Sequence, residues 1–201
     1  MTQYTRRAAT GLIGAAVAGF TLMPSKASAL DNASAKKLVD ALVGEINRVI
    51  ASGKSEQAMY SDFKRIFAKY GDTSYIAAYA MGNDGRRASN AQKKKFSAEF
   101  QTYISRKYGS RFREFIGGRL EVKSVRPVKS WFEVQTTAFL RGESPFTVTF
   151  LVSDRTGRDK FFNMFIEGIN LLLTERTEIG AMIDKRGGSI DKMIADLRNA
   201  K

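Results

Sequence analysis

The sequence predicts an α+β fold, and three observations carry the prediction. Apolar residues first recur at helical spacing, then alternate in strand-like runs, then return to helical spacing. The strand-like runs are joined by short connections such as "RGES" and "DRTGRD", so neighbouring strands should be antiparallel. Each run is rich in β-branched and aromatic residues, and a sheet with one apolar face needs a cover of helices.

Taken in order, Leu38, Leu42, Ile46, Val49 and Ile50 mark a first helix that stops at Gly53. Met59, Phe63, Ile66, Phe67 and Tyr70 mark a second, ended by Gly71. A short third segment, "TSYIAAYAMG", follows. A fourth helix should begin near Ser89, because Ser89 and Gln92 stand at capping-box spacing; it presents Phe96, Phe100, Tyr103 and Ile104 on one face. Four strands are expected in "RLEVKSVRPV", "SWFEVQTTAFLRG", "PFTVTFLVSD" and "DKFFNMFIEG". Phe132, Val134, Thr136, Ala138 and Leu140 share a face of the second, and Val148, Phe150 and Val152 share a face of the third. Gly168 reads as a strand-to-helix corner. From Ile169 the spacing is helical again, through Leu172, Ile179, Met182 and Ile183, and a last helix opens at Ser189.

Composition narrows the chemistry. The 201 residues fit one domain, with 43% apolar and 26% charged residues, the balance of an ordinary globular chain. Cysteine and histidine are both absent, which removes disulfides, thiol nucleophiles, imidazole bases and the usual zinc and iron sites. No metal, no cofactor and no catalytic residue is expected.

The first residues read as a leader. Arg6 and Arg7 precede sixteen uncharged residues, "AATGLIGAAVAGFTLM", and then "SKASAL", with small residues at Ala27, Ser28 and Ala29. The expectation is a signal peptide over residues 1–29, cleaved after Ala29, and a mature domain over 30–201. The paired arginines also fit twin-arginine export, although Ala9 stands where a bulkier apolar residue is usual. An uncleaved membrane anchor is the alternative, against which the short, Ala- and Gly-rich apolar run counts. Removal of the leader leaves 30 basic and 20 acidic residues, a net charge of +10. Outside the cytoplasm the polyanions such a surface meets are phospholipid headgroups and acidic partners rather than nucleic acid.

Three segments carry a resemblance to a family. "MGNDGRRASNAQKKKF" resembles a Leu-Gly…Thr-x-x-Gln-x-x-x-Phe segment of the MlaC-type periplasmic phospholipid-binding proteins, the toluene-tolerance (Ttg2-type) family. "FFNMFIEGINLLLTERTEI" resembles that family's strand ending in Glu-Gly and leading into a helix, and "RGGSIDKMIADL" resembles its C-terminal tail. Asp159, Asn163, Gly85 and the run "TERTEI" depart from the pattern. The resemblance implies a curved antiparallel four-stranded sheet, an NTF2-like cone, covered by a helical subdomain. It also implies a monomeric, non-enzymatic carrier in the periplasm. Such a carrier shuttles a phospholipid ligand between an inner-membrane ABC transporter complex and an outer-membrane lipoprotein-porin complex, maintaining outer-membrane asymmetry.

A lipid-binding face follows from period-two alternation on the strands: Val134, Ala138, Phe150, Met164 and Ile166, covered by Phe96, Phe100 and Ile104. Gly168 turns the chain at its end, and the resemblance puts Ile169 near the mouth. Arg86, Arg87, Lys93, Lys94 and Lys95 form a basic cluster for docking a partner or a phosphate. The lysines lie in the first turns of a helix, where its dipole disfavours cations. Two other readings stand beside the carrier. One is a non-catalytic adaptor acting through the basic surface. The other is an enzyme on an NTF2-like scaffold using Glu167, with Glu175 or Glu178 as a second carboxylate.

Overall fold

The computed structural model describes residues 30–109 and 114–200; the leader expected over 1–29 lies outside them. The helical half opens with α1 (Asn32–Ile50), capped by the Asp31 carboxylate on the Ser34 N–H at 2.7 Å. Next come α2 (Glu56–Tyr70), capped by Ser55, and α3 (Thr73–Met81), capped by Asp72. A 3-10 turn over Gly82–Arg86 leads to α4 (Asn90–Gly109). The capping box at its start is reciprocal: Ser89 N–H donates to Gln92 Oε1 at 2.9 Å, and Gln92 N–H to Ser89 Oγ at 3.1 Å.

Then come β1 (Arg119–Val128), β2 (Trp131–Phe139), β3 (Phe146–Ser153) and β4 (Lys160–Ile166), each antiparallel to the last. A two-residue β5 (Ile169–Asn170) adds a fifth position at the edge, beyond the four strands read from the sequence. The chain closes with α5 (Leu171–Lys185) and α6 (Ile190–Asp196), capped by Asn170 and Ser189.

The corner at Gly168 is therefore a hairpin before it is a helix. Glu167 and Gly168 both have positive φ, +48° and +78°, and Ile166 pairs with Ile169 across them. Two consecutive positive φ values are what a two-residue I′ hairpin demands. Glu167 is a poor choice there by intrinsic preference. Its N–H donates to Thr147 O at 3.0 Å and its Oε1 accepts from Thr147 N–H, so β3 holds the turn. The helix then starts at Leu171, two residues later than the spacing predicts.

Helix α1 lies across β1, β2 and β3, fastened to the edge strand by Asn47. Its Nδ2 donates to Leu120 O at 3.0 Å, and its Oδ1 accepts from Leu120 N–H at 2.9 Å. Helix α2 packs on α4, α3 on α4 and α5, and α6 on α4. Register breaks between Val122 and Ser124 and between Leu151 and Val152 mark two bulges, which bend the sheet around its inner face.

Candidate lipid cavity

Directly opposed residues of antiparallel strands point to the same face. Val148 opposes Ile166 and Phe150 opposes Met164, so these four side chains form one apolar patch. The helices do not close fully on it. Between them remains a cavity of about 200 Å³, walled by the patch together with Phe161 and Phe162 of β4. Leu42 and Ile46 of α1, Phe63, Ile66 and Phe67 of α2, Ile76 of α3 and Ile104 of α4 continue the apolar wall, with Phe115 from the α4–β1 loop, Leu120 of β1, and Leu171 and Leu172 from α5. A wall this apolar offers water few hydrogen-bond partners, the condition under which enclosed cavities of about 150 Å³ stay dry and accept benzene.

Few polar groups reach the wall. Asn163 is buried and occupied: its Oδ1 accepts from Met164 N–H and Leu172 N–H, and its Nδ2 donates to Asn170 Oδ1 at 2.9 Å. Ser105 Oγ donates to Gln101 O at 2.7 Å. Glu175 is 3% exposed and takes hydrogen bonds on Oε1 from Lys107 Nζ at 2.8 Å and Tyr108 OH at 2.6 Å. Lys107 also pairs with Glu178, which accepts from Tyr103 OH at 2.9 Å. Burial opposes the charge on Glu178, but the bonds from Lys107 and Tyr103 prevail and hold its pKa below the usual carboxylate value. Burial and the two carboxylates push the Tyr103 phenol up, so it stays a donor.

A family model described as MlaC protein matches residues 36–199. The chain belongs to the MlaC family. A solved structure from Ralstonia solanacearum, described as a phospholipid-binding protein in complex with a phospholipid, is similar to it in fold. The TM-score is 0.69 at 20% identity, over 81% of this chain and 98% of that one. The α+β architecture with an open antiparallel sheet is thus an MlaC fold, as the residue pattern and the resemblance both led one to expect.

In this MlaC-family chain the residues proposed for lipid binding separate into three groups. Ile104, Phe150, Met164 and Ile166 line the cavity. Val134 and Ala138 share the inner face but are wholly buried on β2 and stand outside the cavity wall, as do Phe96 and Phe100, stacked at 5.2 Å on α4. Gly168 and Ile169 form the β4–β5 turn, with Ile169 60% exposed. The reason for the split is lateral: α1 packs over β1 and β2, so the void opens mainly over β3 and β4, and β1 reaches it only through Leu120.

The α1 and α2 contributions were not singled out from the sequence, since a stripe facing a void and a stripe facing core have the same spacing. Phe161 and Phe162 were missed for another reason. The bulge opposite Leu151 and Val152 lets two successive residues reach the wall, which alternation forbids.

The basic cluster is elsewhere. Arg87 is held by Asp84 at 2.6 and 2.9 Å, while Arg86, Lys93, Lys94 and Lys95 are exposed and make no ion pair among the described residues. From Lys94 to Ile104 is ten residues of helix, about 15 Å along the axis. Among the described residues, no helix is long and apolar enough to cross a membrane, and no cluster of His, Cys, Asp or Glu could hold a metal ion.

Proposed function

We propose that this chain is a periplasmic phospholipid carrier, exported by a leader removed after Ala29, that transfers lipid without bond chemistry. The observation that carries the reading is the apolar cavity between β3–β4 and the helices of an MlaC-family chain. The phospholipid complex of the Ralstonia solanacearum protein supports it, because that protein has a similar fold.

The energetics make a carrier necessary. A diacyl phospholipid exposes about 30 methylenes, each costing ~0.8 kcal/mol in water, so unaided crossing of an aqueous compartment is negligible. A dry cavity wide enough for the chains removes most of that cost. Large exposed apolar side chains, Ile116, Ile169 and Leu173, each lie within three residues in sequence of a cavity-lining residue, and they give acyl chains an apolar approach. Glu167 is engaged in the β4–β5 turn by Thr147, so the carboxylate offered for an enzymatic reading already has a structural task.

In this proposal the chain exchanges lipid with an inner-membrane ABC transporter complex and an outer-membrane lipoprotein-porin complex, docking through Arg86, Arg87 and Lys93 to Lys95. The test is a vesicle assay with the mature chain, residues 30–201, at catalytic concentration and a fluorescent diacyl phospholipid in the donor vesicles. Transfer should rise in proportion to protein, and Lys93, Lys94 and Lys95 changed together to Gln should weaken docking to acidic surfaces at low salt only. Transfer no faster than without protein refutes the carrier. Docking unchanged at low salt refutes the role of the cluster.

A further inference from the structure

The proposed cleavage after Ala29 makes Leu30 the first residue of the exported chain, and Leu30 is held on two sides. Its side chain packs against the core. Its N–H donates to Asp154 Oδ2 at 3.3 Å, a contact across 124 positions of sequence. Asp154 opens the loop after β3, so this contact ties the approach to α1 to the end of that strand.

Asp154 has company. Asp159, in the same loop, has its pKa raised first by burial and then by the like charges of Asp154 and Asp31, so the three carboxylates stand close together. None of the three makes an ion pair among the described residues, in a chain whose net charge is strongly positive. Nearby cations are turned elsewhere. Arg155 lies over the rings of Tyr75 and Phe162, 4.6 Å from each centroid, and Lys160 Nζ donates to Lys69 O. Arg158 bears on Lys160, whose pKa it helps to lower. Asp31 Oδ1 accepts from Ser34 N–H as the cap of α1.

Crowded carboxylates alone name no partner. The Leu30 nitrogen does, because it is already in place and its charge depends on one peptide bond. In hydrolysis of that bond by a leader peptidase, water adds to the Ala29 carbonyl and the C–N bond breaks. Ala29 leaves as a carboxylate, and at neutral pH both water protons finish on Leu30 as an ammonium. A cation ahead of α1 opposes the helix dipole, and the carboxylates around it act in the opposite sense.

We infer that processing turns the Leu30 nitrogen into an ammonium that pairs with Asp154, so that an ion pair between the start of the mature chain and the β3–β4 loop forms only once the leader is gone. The inference rests on the proposed cleavage after Ala29. Burial remains the larger cause at Asp159, whose ionised form still weighs against the fold. An amine whose pKa rises on folding stabilises the fold below its ordinary value and loses that contribution as pH rises through the raised one.

The test expresses the full chain in bacteria, purifies the exported form and reads its first residue by mass spectrometry. Acetylation of the α-amine, followed on the N-terminal peptide from neutral to alkaline pH, then gives its ionisation constant, since only the neutral amine reacts. The constant should lie about threefold below that of an unpaired α-amine, the size of an exposed ion pair. Asp154→Asn should recover most of that factor. A chain made to begin one residue earlier, at Ala29, displaces the ammonium and should show the ordinary constant. An exported chain that begins at Leu30 with an ordinary constant, or with a constant that Asp154→Asn leaves unchanged, overturns the ion pair and leaves the cleavage standing. A first residue other than Leu30 overturns both.

Discussion

Met164 meets the cavity from β4, opposite Phe150 on the same face of the sheet. A carboxylate there faces a wall with no cation among the described residues, and burying an unpaired charge is prohibitive. Met164→Glu is therefore expected to cut the phospholipid recovered with the protein by at least about tenfold. Thr149→Glu, on the opposite face, should leave it unchanged. Equal loss from both variants would reject this map of the cavity. A second residue-scale prediction concerns Asp159, whose pKa is raised by burial and by the like charges of Asp154 and Asp31. A raised folded-state pKa means that its ionised form destabilises the fold at neutral pH, and stability is regained as pH falls through that pKa. Asp159→Asn should raise Tm by about 1–2 °C at pH 7, with the gain gone near pH 3. A gain that persists at pH 3 would assign it to packing instead.

Among the elements, the junction of β4 with α5 sets the shape of the cavity wall. Asn163 ties the two together through Leu172 N–H and Asn170, and Asn170 caps the helix by accepting from Leu173 N–H at 3.0 Å. Asn163→Ala strips a buried junction of its acceptor and should cost about 2 kcal/mol in denaturant unfolding. A cost within 0.5 kcal/mol, about the scatter of neutral surface changes, would show that the turn at Glu167 and Gly168 holds the junction alone. The same junction marks the limit of what the residues alone reveal. The helices, their stops and the cap at Ser89 were legible because spacing and capping are local properties. So was the face shared by Val148, Phe150 and Val152. The β5 hairpin was not, because Glu167 is an unexpected residue at positive φ and its support comes from Thr147, twenty residues away. Nor was the separation of cavity from core. Val134 and Phe150 are equivalent by alternation, and only the placement of α1 over β1 and β2 distinguishes them.

For the molecule as a whole, the cavity and its proposed ligand differ in size. About 200 Å³ is below the roughly 300–1,000 Å³ of ordinary small-molecule sites, and a diacyl lipid has two long chains to shelter. The carrier account thus requires α2, α4 and α5 to move away from β3–β4 when lipid enters. What resists that movement on the α4–α5 side includes Lys107, Tyr103 and Tyr108 reaching Glu175 and Glu178. The direct measurement is native mass spectrometry of residues 30–201 expressed in bacteria and purified without detergent. The account predicts a mass increment of one phospholipid per chain, removed by organic extraction and restored from vesicles. A chain that carries no lipid as isolated, and takes none from vesicles while remaining folded, would contradict it.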